Sequence, residues 1–242
     1  MNVAISQPML FPWVGLLEQI RLANIWVHYA DVQFSKGSFT NRVQIKTSKG
    51  VRWLTVPLER IHLGQRIDEV RISNRMDWRN DHLRILSEAY ASAPFRREML
   101  QLVESTYAEP PYDIGSLATS STMALCRYFG LAYSRHFLDS RDLGVSGSGS
   151  GRVLGIVTAL GADRYITGHG ASNYLDHEMF EHAGIRVEYL DYKKLPYPQQ
   201  HGDFTPYVSS LDLVANMGQE GKARICSGSI YWRDFVSHER NR

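Results

Sequence analysis

Five stretches of the chain set chemically useful side chains beside glycines or prolines that shape a turn. The first is Gln7-Pro8-Met9-Leu10-Phe11-Pro12-Trp13-Val14-Gly15. Its two prolines fix the path, Gly15 permits close packing, and Gln7 offers a neutral hydrogen-bonding group. Phe11 can face a ligand or plug a sheet end. The second runs from Asp31 to Arg42 and holds a carboxylate, an ammonium at Lys36, a guanidinium at Arg42 and amides at Gln33 and Asn41. Lys36 and Arg42 suit a phosphate or carboxylate, while Asp31 suits a base or an amine ligand. An exposed hairpin with ordinary charges fits the same residues.

The third stretch is the Ser-Gly run at 145–151, which ends at Arg152. A glycine-rich link entering a helix can wrap a phosphate with backbone N–H groups, although a flexible linker has the same composition. It has neither the Gly-x-Gly-x-x-Gly fingerprint nor the Lys-Ser/Thr of a P-loop. The fourth, 167–176, sets Gly168 and Gly170 around His169 and leads into Ser172, Asn173 and Tyr174. Histidine titrates near 6.5 in water, so His169 is the general-base candidate by type. The fifth carries Gln199, then Ser209, Asp212 and Asn216. Asp212 and Asn216 are i, i+4 and share a helix face, while Ser209 and Asp212 also fit a capping box.

These groups need elements to hold them. Val3-Ala4-Ile5 is a short apolar run ended by Pro8, which reads as a buried strand. Leu16, Leu17, Ile20 and Ala23 have helical spacing, and Ile25 to Tyr29 forms the next strand. Arg42-Val43-Gln44-Ile45-Lys46 should pair with 52–57 as a hairpin through Ser48-Lys49-Gly50, and Glu69-Val70-Arg71-Ile72 alternates like another exposed strand. Helices at 78–91, 95–106 and 116–129 follow, with Pro110-Pro111 as a break. Beyond a strand at 134–138, helices at 152–160 and 174–183 alternate with strands at 164–167 and 185–190, linked through Gly161 and Gly184. That alternation is the grammar of a parallel sheet. The expected fold is therefore α/β: a mainly parallel Rossmann-like sheet with flanking helices, a β-hairpin insertion and a helical middle segment at about 77–130. It is expected as one domain over 1–242, with a flexible end from residue 237.

The 242 residues are 43% hydrophobic and 21% charged, enough for a sizeable core without a metal or disulfide staple. A net charge of +2 is far from that of a dedicated nucleic-acid binder. Cys126 and Cys226 form no ligand pattern, so no metal site is expected and a reducing compartment is. The N-terminus lacks a signal peptide and no apolar run is long enough to span a bilayer, so the expected location is the cytoplasm, with no membrane partner. No Gly-x-Ser-x-Gly elbow occurs, which disfavours a serine-hydrolase mechanism.

Taken together, Gln7-Pro8, Phe11-Pro12, Gly15, Asp31-Val32-Gln33-Phe34, Lys36-Gly37, Asn41-Arg42, 53–57, 161–165, Gly168, 174–176 and the Phe204–Gly218 tail resemble the WbqC-like family in order and over nearly the whole chain. The resemblance implies a role in bacterial O-antigen or related glycan biosynthesis, for which glycine transfer to a sugar has been proposed. The Ser-Gly run departs from the family pattern before Arg152, which weakens the phosphate-loop reading. Separately, the first turn is placed like the opening turn of nucleotidylyltransferases, without that family's paired histidines.

The expected activity is acyl or aminoacyl transfer to an amino or hydroxyl group of a nucleotide-linked sugar or related metabolite. One alternative is a nucleotidyl- or adenylyltransferase, and another is a non-catalytic sugar-binding or assembly subunit. The catalytic candidates are His169, Asp31 and Lys36. The binding candidates are Gln7, Phe11, Gly15, Gln33, Asn41, Arg42, Arg152, Gly168, Tyr174, Gln199, Asp212 and Asn216. No tightly bound cofactor is expected; ATP or an aminoacyl-tRNA would enter as substrate. The expected partners are a sugar or sugar nucleotide, an aminoacyl-tRNA or carrier-protein donor, and a second copy in a homodimer.

Overall fold

The computed structural model describes residues 1–108 and 112–240. The Pro110-Pro111 break and residues 241–242 lie outside them. Along the chain run β1 (Asn2–Ser6), α1 (Val14–Leu22), β2 (Ile25–His28), β3 (Arg42–Thr47), β4 (Gly50–Thr55), α2 (Trp78–Ala89), α3 (Arg96–Ala108) and α4 (Ile114–Tyr128). There follow β5 (His136–Asp139), α5 (Gly149–Ala159), β6 (Arg164–Thr167), α6 (His177–His182), β7 (Arg186–Asp191), α7 (Ser210–Met217), β8 (Gly228–Tyr231) and α8 (Trp232–Arg240).

Six strands form one sheet in the order β5-β2-β1-β6-β7-β8. The first five are parallel and β8 is antiparallel to β7. Strand alternation explains why the sheet is covered on both faces. Ala4 and Trp26 enter a core built with α1, α2, α3, α4 and α7. Val3, Ile5 and Val27, their immediate neighbours, enter a second core built with α5, α6 and α8. Val3 pairs with Ile25 on one side and Tyr165 on the other, so β1 is central. From β1 the chain goes first to β2 on one side and only later to β6 on the other. The direction of winding thus reverses between β1 and β6. The hairpin β3–β4 stands as a separate two-stranded sheet.

Some expectations need correction. Glu69-Val70-Arg71-Ile72 alternates as read, with Val70 and Ile72 buried, but it forms no ladder. A 3-10 turn at Ile67–Glu69 and the single bridges Leu58–Ile72 and Arg71–Asp113 take its place. Helix α6 begins at His177 because Asp176 caps it, accepting from the Met179 amide at 3.1 Å, and residues 169–173 form a 3-10 turn. The stretch expected to be a flexible end continues α8 to Arg240. Among the described residues, no helix is long and apolar enough to cross a membrane.

The hairpin is tied to the helical segment by a buried histidine. His82 Nε2 lies 3.2 Å from the Thr55 carbonyl and Nδ1 lies 3.0 Å from the Tyr107 hydroxyl. A carbonyl only accepts, so Nε2 donates and Nδ1 receives the tyrosine proton. Burial pushes this imidazole down to about 4. An unfolded histidine titrates near 6.5, so between these values the unfolded chain binds the extra proton. The stabilisation is full above about pH 6.5 and is lost as the pH falls towards 4, a loss of about 2 kcal/mol by pH 4.5. Urea unfolding should therefore show a steeper loss of stability between pH 7 and 4.5 in the wild type than in His82→Gln. Equal slopes would refute this account.

Candidate active site

A cavity of about 770 Å³ opens at the carboxyl ends of β1, β6 and β7. Ser6 and Gln7 lie at the end of β1, Thr167, Gly168 and His169 at the end of β6, and Leu190 on β7. Gly15, Leu16 and Gln19 of α1 and Tyr29, just after β2, complete its inner part. Trp13, Phe39, Tyr192 and Tyr207 supply aromatic walls. The cavity thus occupies the place where winding reverses, the ligand position of open α/β sheets.

The turn from β1 into α1 is held from several elements. Phe11 has φ 36°, a strained value for a non-glycine residue. Its amide donates to the Ser121 hydroxyl of α4 at 2.8 Å and its carbonyl accepts from the Ser209 hydroxyl at 2.7 Å. The Pro12 carbonyl accepts from the Ser210 amide of α7 at 2.8 Å, and the Leu10 amide donates to the Phe39 carbonyl at 2.9 Å. Beyond it Trp13 folds over the first turn of α1, where a Cβ on residue 15 would lie 2.4 Å from the indole, so only glycine fits. Trp13 then meets Tyr192 edge-on at 4.9 Å between ring centroids.

His169 is the one imidazole on the cavity wall. Its Nε2 lies 2.7 Å from the Leu190 carbonyl, which only accepts, so Nε2 carries a proton and Nδ1 is the nitrogen left to act as an acceptor. Phe235 of α8 braces the ring at 4.7 Å. Gln19 had drawn no attention in the sequence, where it reads as a polar position on an apolar helix. Its Nε2 donates to the Ile166 carbonyl at 3.0 Å, which turns Oε1 towards Gly168. Its i, i+4 relation to Gly15 was the available signal. Tyr192, Lys194 and Tyr207 were missed as well, because they come from an irregular segment with no periodicity to read.

Of the candidates from the sequence, Gln7, Gly15, Gly168, His169 and Tyr174 line this cavity. Asp31 and Arg152 stand behind it. They form a nearly buried ion pair, with Ser140 donating to Asp31 at 2.6 Å and Arg152 Nε donating to the Val145 carbonyl at 3.0 Å. The guanidinium sits 4.9 Å from the ring centroid of Tyr29, which faces the cavity. Burial works to raise the Asp31 pKa, but the bonds from Arg152 and Ser140 outweigh it and hold the carboxylate below its ordinary value. A paired, acidified carboxylate is a poor base, which argues against proton abstraction by Asp31. The Ser-Gly run has a structural task too: the Ser150 hydroxyl accepts from the Asp176 amide at 2.9 Å.

The remaining candidates lie away from the cavity lining. Phe11 is buried in the core against Tyr107. Gln33 and Lys36 are exposed, Asn41 donates to the Val56 carbonyl at 3.0 Å, and Arg42 bonds the Gly37 carbonyl and covers Trp53 at 4.2 Å. Gln199, Asp212 and Asn216 belong to a second, buried network. There Tyr90 donates to Asp212 at 3.1 Å, Asn216 donates to it at 3.3 Å, and Gln199 donates to Tyr197 at 3.1 Å. Lys46 donates to Gln199 at 3.3 Å and to the Gly202 carbonyl at 2.9 Å. Burial raises the Asp212 pKa in spite of bonds from Tyr197, Tyr90 and Gln199.

Among the described residues, the cavity lining includes no carboxylate and one ammonium, Lys194, which sits 5.2 Å from the Tyr207 ring centroid. Such a lining suits a neutral or anionic ligand with flat or apolar faces. Among the described residues, no group of three or more His, Cys, Asp or Glu side chains could hold a metal ion.

Comparison with known proteins adds two similarities. The model of the WbqC-like protein family matches residues 7–224. An uncharacterized protein of Mycobacterium tuberculosis is 33% identical over 224 residues, covering 90% of this chain and 95% of the relative. No solved structure matches the chain.

The pairing of Asp31 with Arg152 can be tested by removing one partner. Arg152→Met leaves a carboxylate nearly buried and uncompensated and should cost about 3 kcal/mol in urea unfolding. Lys36→Ala, at an exposed position, should stay within about 0.5 kcal/mol of the wild type. Similar costs for the two would mean that the pair does not organise this wall.

Proposed function

Because the chain belongs to the WbqC-like protein family, we propose that it is a transferase that moves an acyl or aminoacyl group, glycyl among them, to an amino or hydroxyl group of a nucleotide-linked sugar or related small metabolite. The observation that carries this reading is the state of His169. The Leu190 carbonyl holds its Nε2 proton and frees Nδ1 as a base, in a cavity whose lining has no carboxylate. In the proposed reaction Nδ1 takes the proton of the acceptor amine or hydroxyl as that atom attacks the acyl carbonyl. The bond to the donor's leaving group then breaks, and the imidazolium returns the proton to that group. Gln7 and Ser6 offer hydrogen bonds to the acceptor, aromatic walls cover sugar or base faces, and Lys194 meets an anionic part of the substrate.

Nucleotidyl or adenylyl transfer is the second reading. The reversal of winding beside the start of α1 favours it, since nucleotides often bind there. Glycyl-tRNA, or glycine with ATP, incubated with amino-sugar nucleotides and followed by mass spectrometry separates the two. The first reading expects an acylated sugar, with kcat reduced about 10²- to 10⁴-fold in His169→Ala and KM little changed. Pyrophosphate release with a nucleotidylated product and no acyl product would favour the second. Acyl transfer that survives His169→Ala at the wild-type rate would remove His169 from the mechanism.

A further inference from the structure

The charge of this chain is unevenly spread. Residues 35–66 hold seven Lys and Arg against the single acid Glu59, a net +6 in a protein of net +2. This segment contains the β3–β4 hairpin, which stands outside the main sheet. Lys36, Lys49, Arg52 and Arg60 are exposed, and among the described residues none of the four is in an ion pair. Four unneutralised cations on one short insertion are a local electrostatic footprint that the overall charge conceals.

The same segment exposes flat aromatic groups. Trp53 is 36% and Phe39 43% exposed, unusual for large aromatic rings. They lie with centroids 5.5 Å apart, and the Arg42 guanidinium lies 4.2 Å from the Trp53 centroid. Guanidinium, indole and phenyl make a cluster of planar groups at the surface, the two rings tilted 47° to each other. Phe39 is also a wall of the cavity, so the cluster leads to its rim. Arg42 against Trp53, with Lys36 beside the Gly37 that Arg42 touches, offers charge to a phosphate backbone next to rings that accept unpaired bases, which is what a single strand requires. Because the rings continue into a cavity that contains Lys194, they fit the end of a strand better than a lipid surface, which could not enter it.

We propose that the β3–β4 hairpin docks the single-stranded end of a nucleic acid, with the terminal residue reaching the cavity past Phe39. If the transferase reading holds, on which this last role rests, the strand end would carry the acyl group to His169, making the donor a nucleic-acid ester.

Fluorescence anisotropy of the full chain with a labelled unstructured RNA of about 12 nucleotides, at about 50 mM salt, tests the docking surface without turnover. Saturable binding is expected, with log affinity falling against log salt at a slope of about −2 to −3, as for three or four phosphate contacts. Trp53→Ala and Phe39→Ala should each weaken it about tenfold, Trp53→Phe should largely restore it, and the double change Lys36→Glu with Lys49→Glu should weaken it and flatten the salt dependence. DNA of the same sequence distinguishes the source: preference for RNA points to contacts with 2′-hydroxyls, and equal affinity to any single strand. The proposal is overturned by absence of saturable binding, by equal affinity for a duplex with no effect of Trp53→Ala, or by Trp53-dependent association with phosphatidylserine vesicles instead of RNA. Binding that depends on Trp53 in a protein without transferase activity would overturn the functional reading alone. Transfer from a donor that is not a nucleic acid, with no RNA binding, would overturn the docking surface alone.

Discussion

The site depends on a short turn whose backbone is pinned from distant parts of the chain. Phe11 sits at positive φ, which costs on the order of 1 kcal/mol for a residue with a Cβ. Its amide and carbonyl are held by Ser121 and Ser209, and the next carbonyl by Ser210. Each such bond contributes about 1 kcal/mol net, enough together to offset the strain. The consequence is geometric. With Phe11 driven into the core, the chain must swing Trp13 back over Gly15, and α1 starts beside the end of β6. Tying one turn to α4 and α7 makes the helical middle segment a support for the cavity rather than an appendage.

The outer wall has a different foundation. Tyr192, Lys194 and Tyr207 lie on a long irregular segment between β7 and α7, which has no ladder to hold it. Its interior anchor is the network around Asp212, Tyr90, Tyr197, Gln199 and Lys46. Burying a carboxylate and an ammonium is expensive, and the cost is limited by satisfying their polar atoms with neutral groups and carbonyls. Polar residues with the look of ligands thus serve as the hidden frame of a cavity-lining loop. Lys194 adopts φ 50°, another strained position that such a frame can sustain.

What the sequence revealed follows from which signals are local. Short apolar runs followed by glycines marked the strand ends, so the positions of Gln7, Gly168 and His169 at the carboxyl edge of the sheet, where they line the cavity, were legible before any contact was known. The parallel sheet was legible for the same reason, because strand, helix and strand recur with short links. Side-chain type, by contrast, misled at Asp31 and Arg152. Each suits a phosphate or a proton transfer in isolation, yet 121 positions of separation hid that they satisfy each other. Asp212 and Asn216 do share a helix face, as their spacing required, but that face is turned inward. Periodicity shows that two residues look the same way without showing whether they look at solvent, ligand or core.

His169 rests against the second core through Phe235, and this explains why an exposed loop can hold an imidazole in a fixed orientation. His169 stands on the short 3-10 turn after β6, where backbone hydrogen bonds alone would leave the ring free to rotate. Leu190 removes that freedom through its carbonyl, at a strand position paired with Ser229 of β8. Phe235 closes the other side, and it is itself stacked 4.2 Å from Tyr189 of β7. The antiparallel edge strand β8 runs directly into α8, so the turn at Trp232 determines where Phe235 stands. The sheet's departure from a purely parallel pattern therefore has a use. By reversing direction at its last strand, the chain brings a C-terminal helix back against the wall that carries His169.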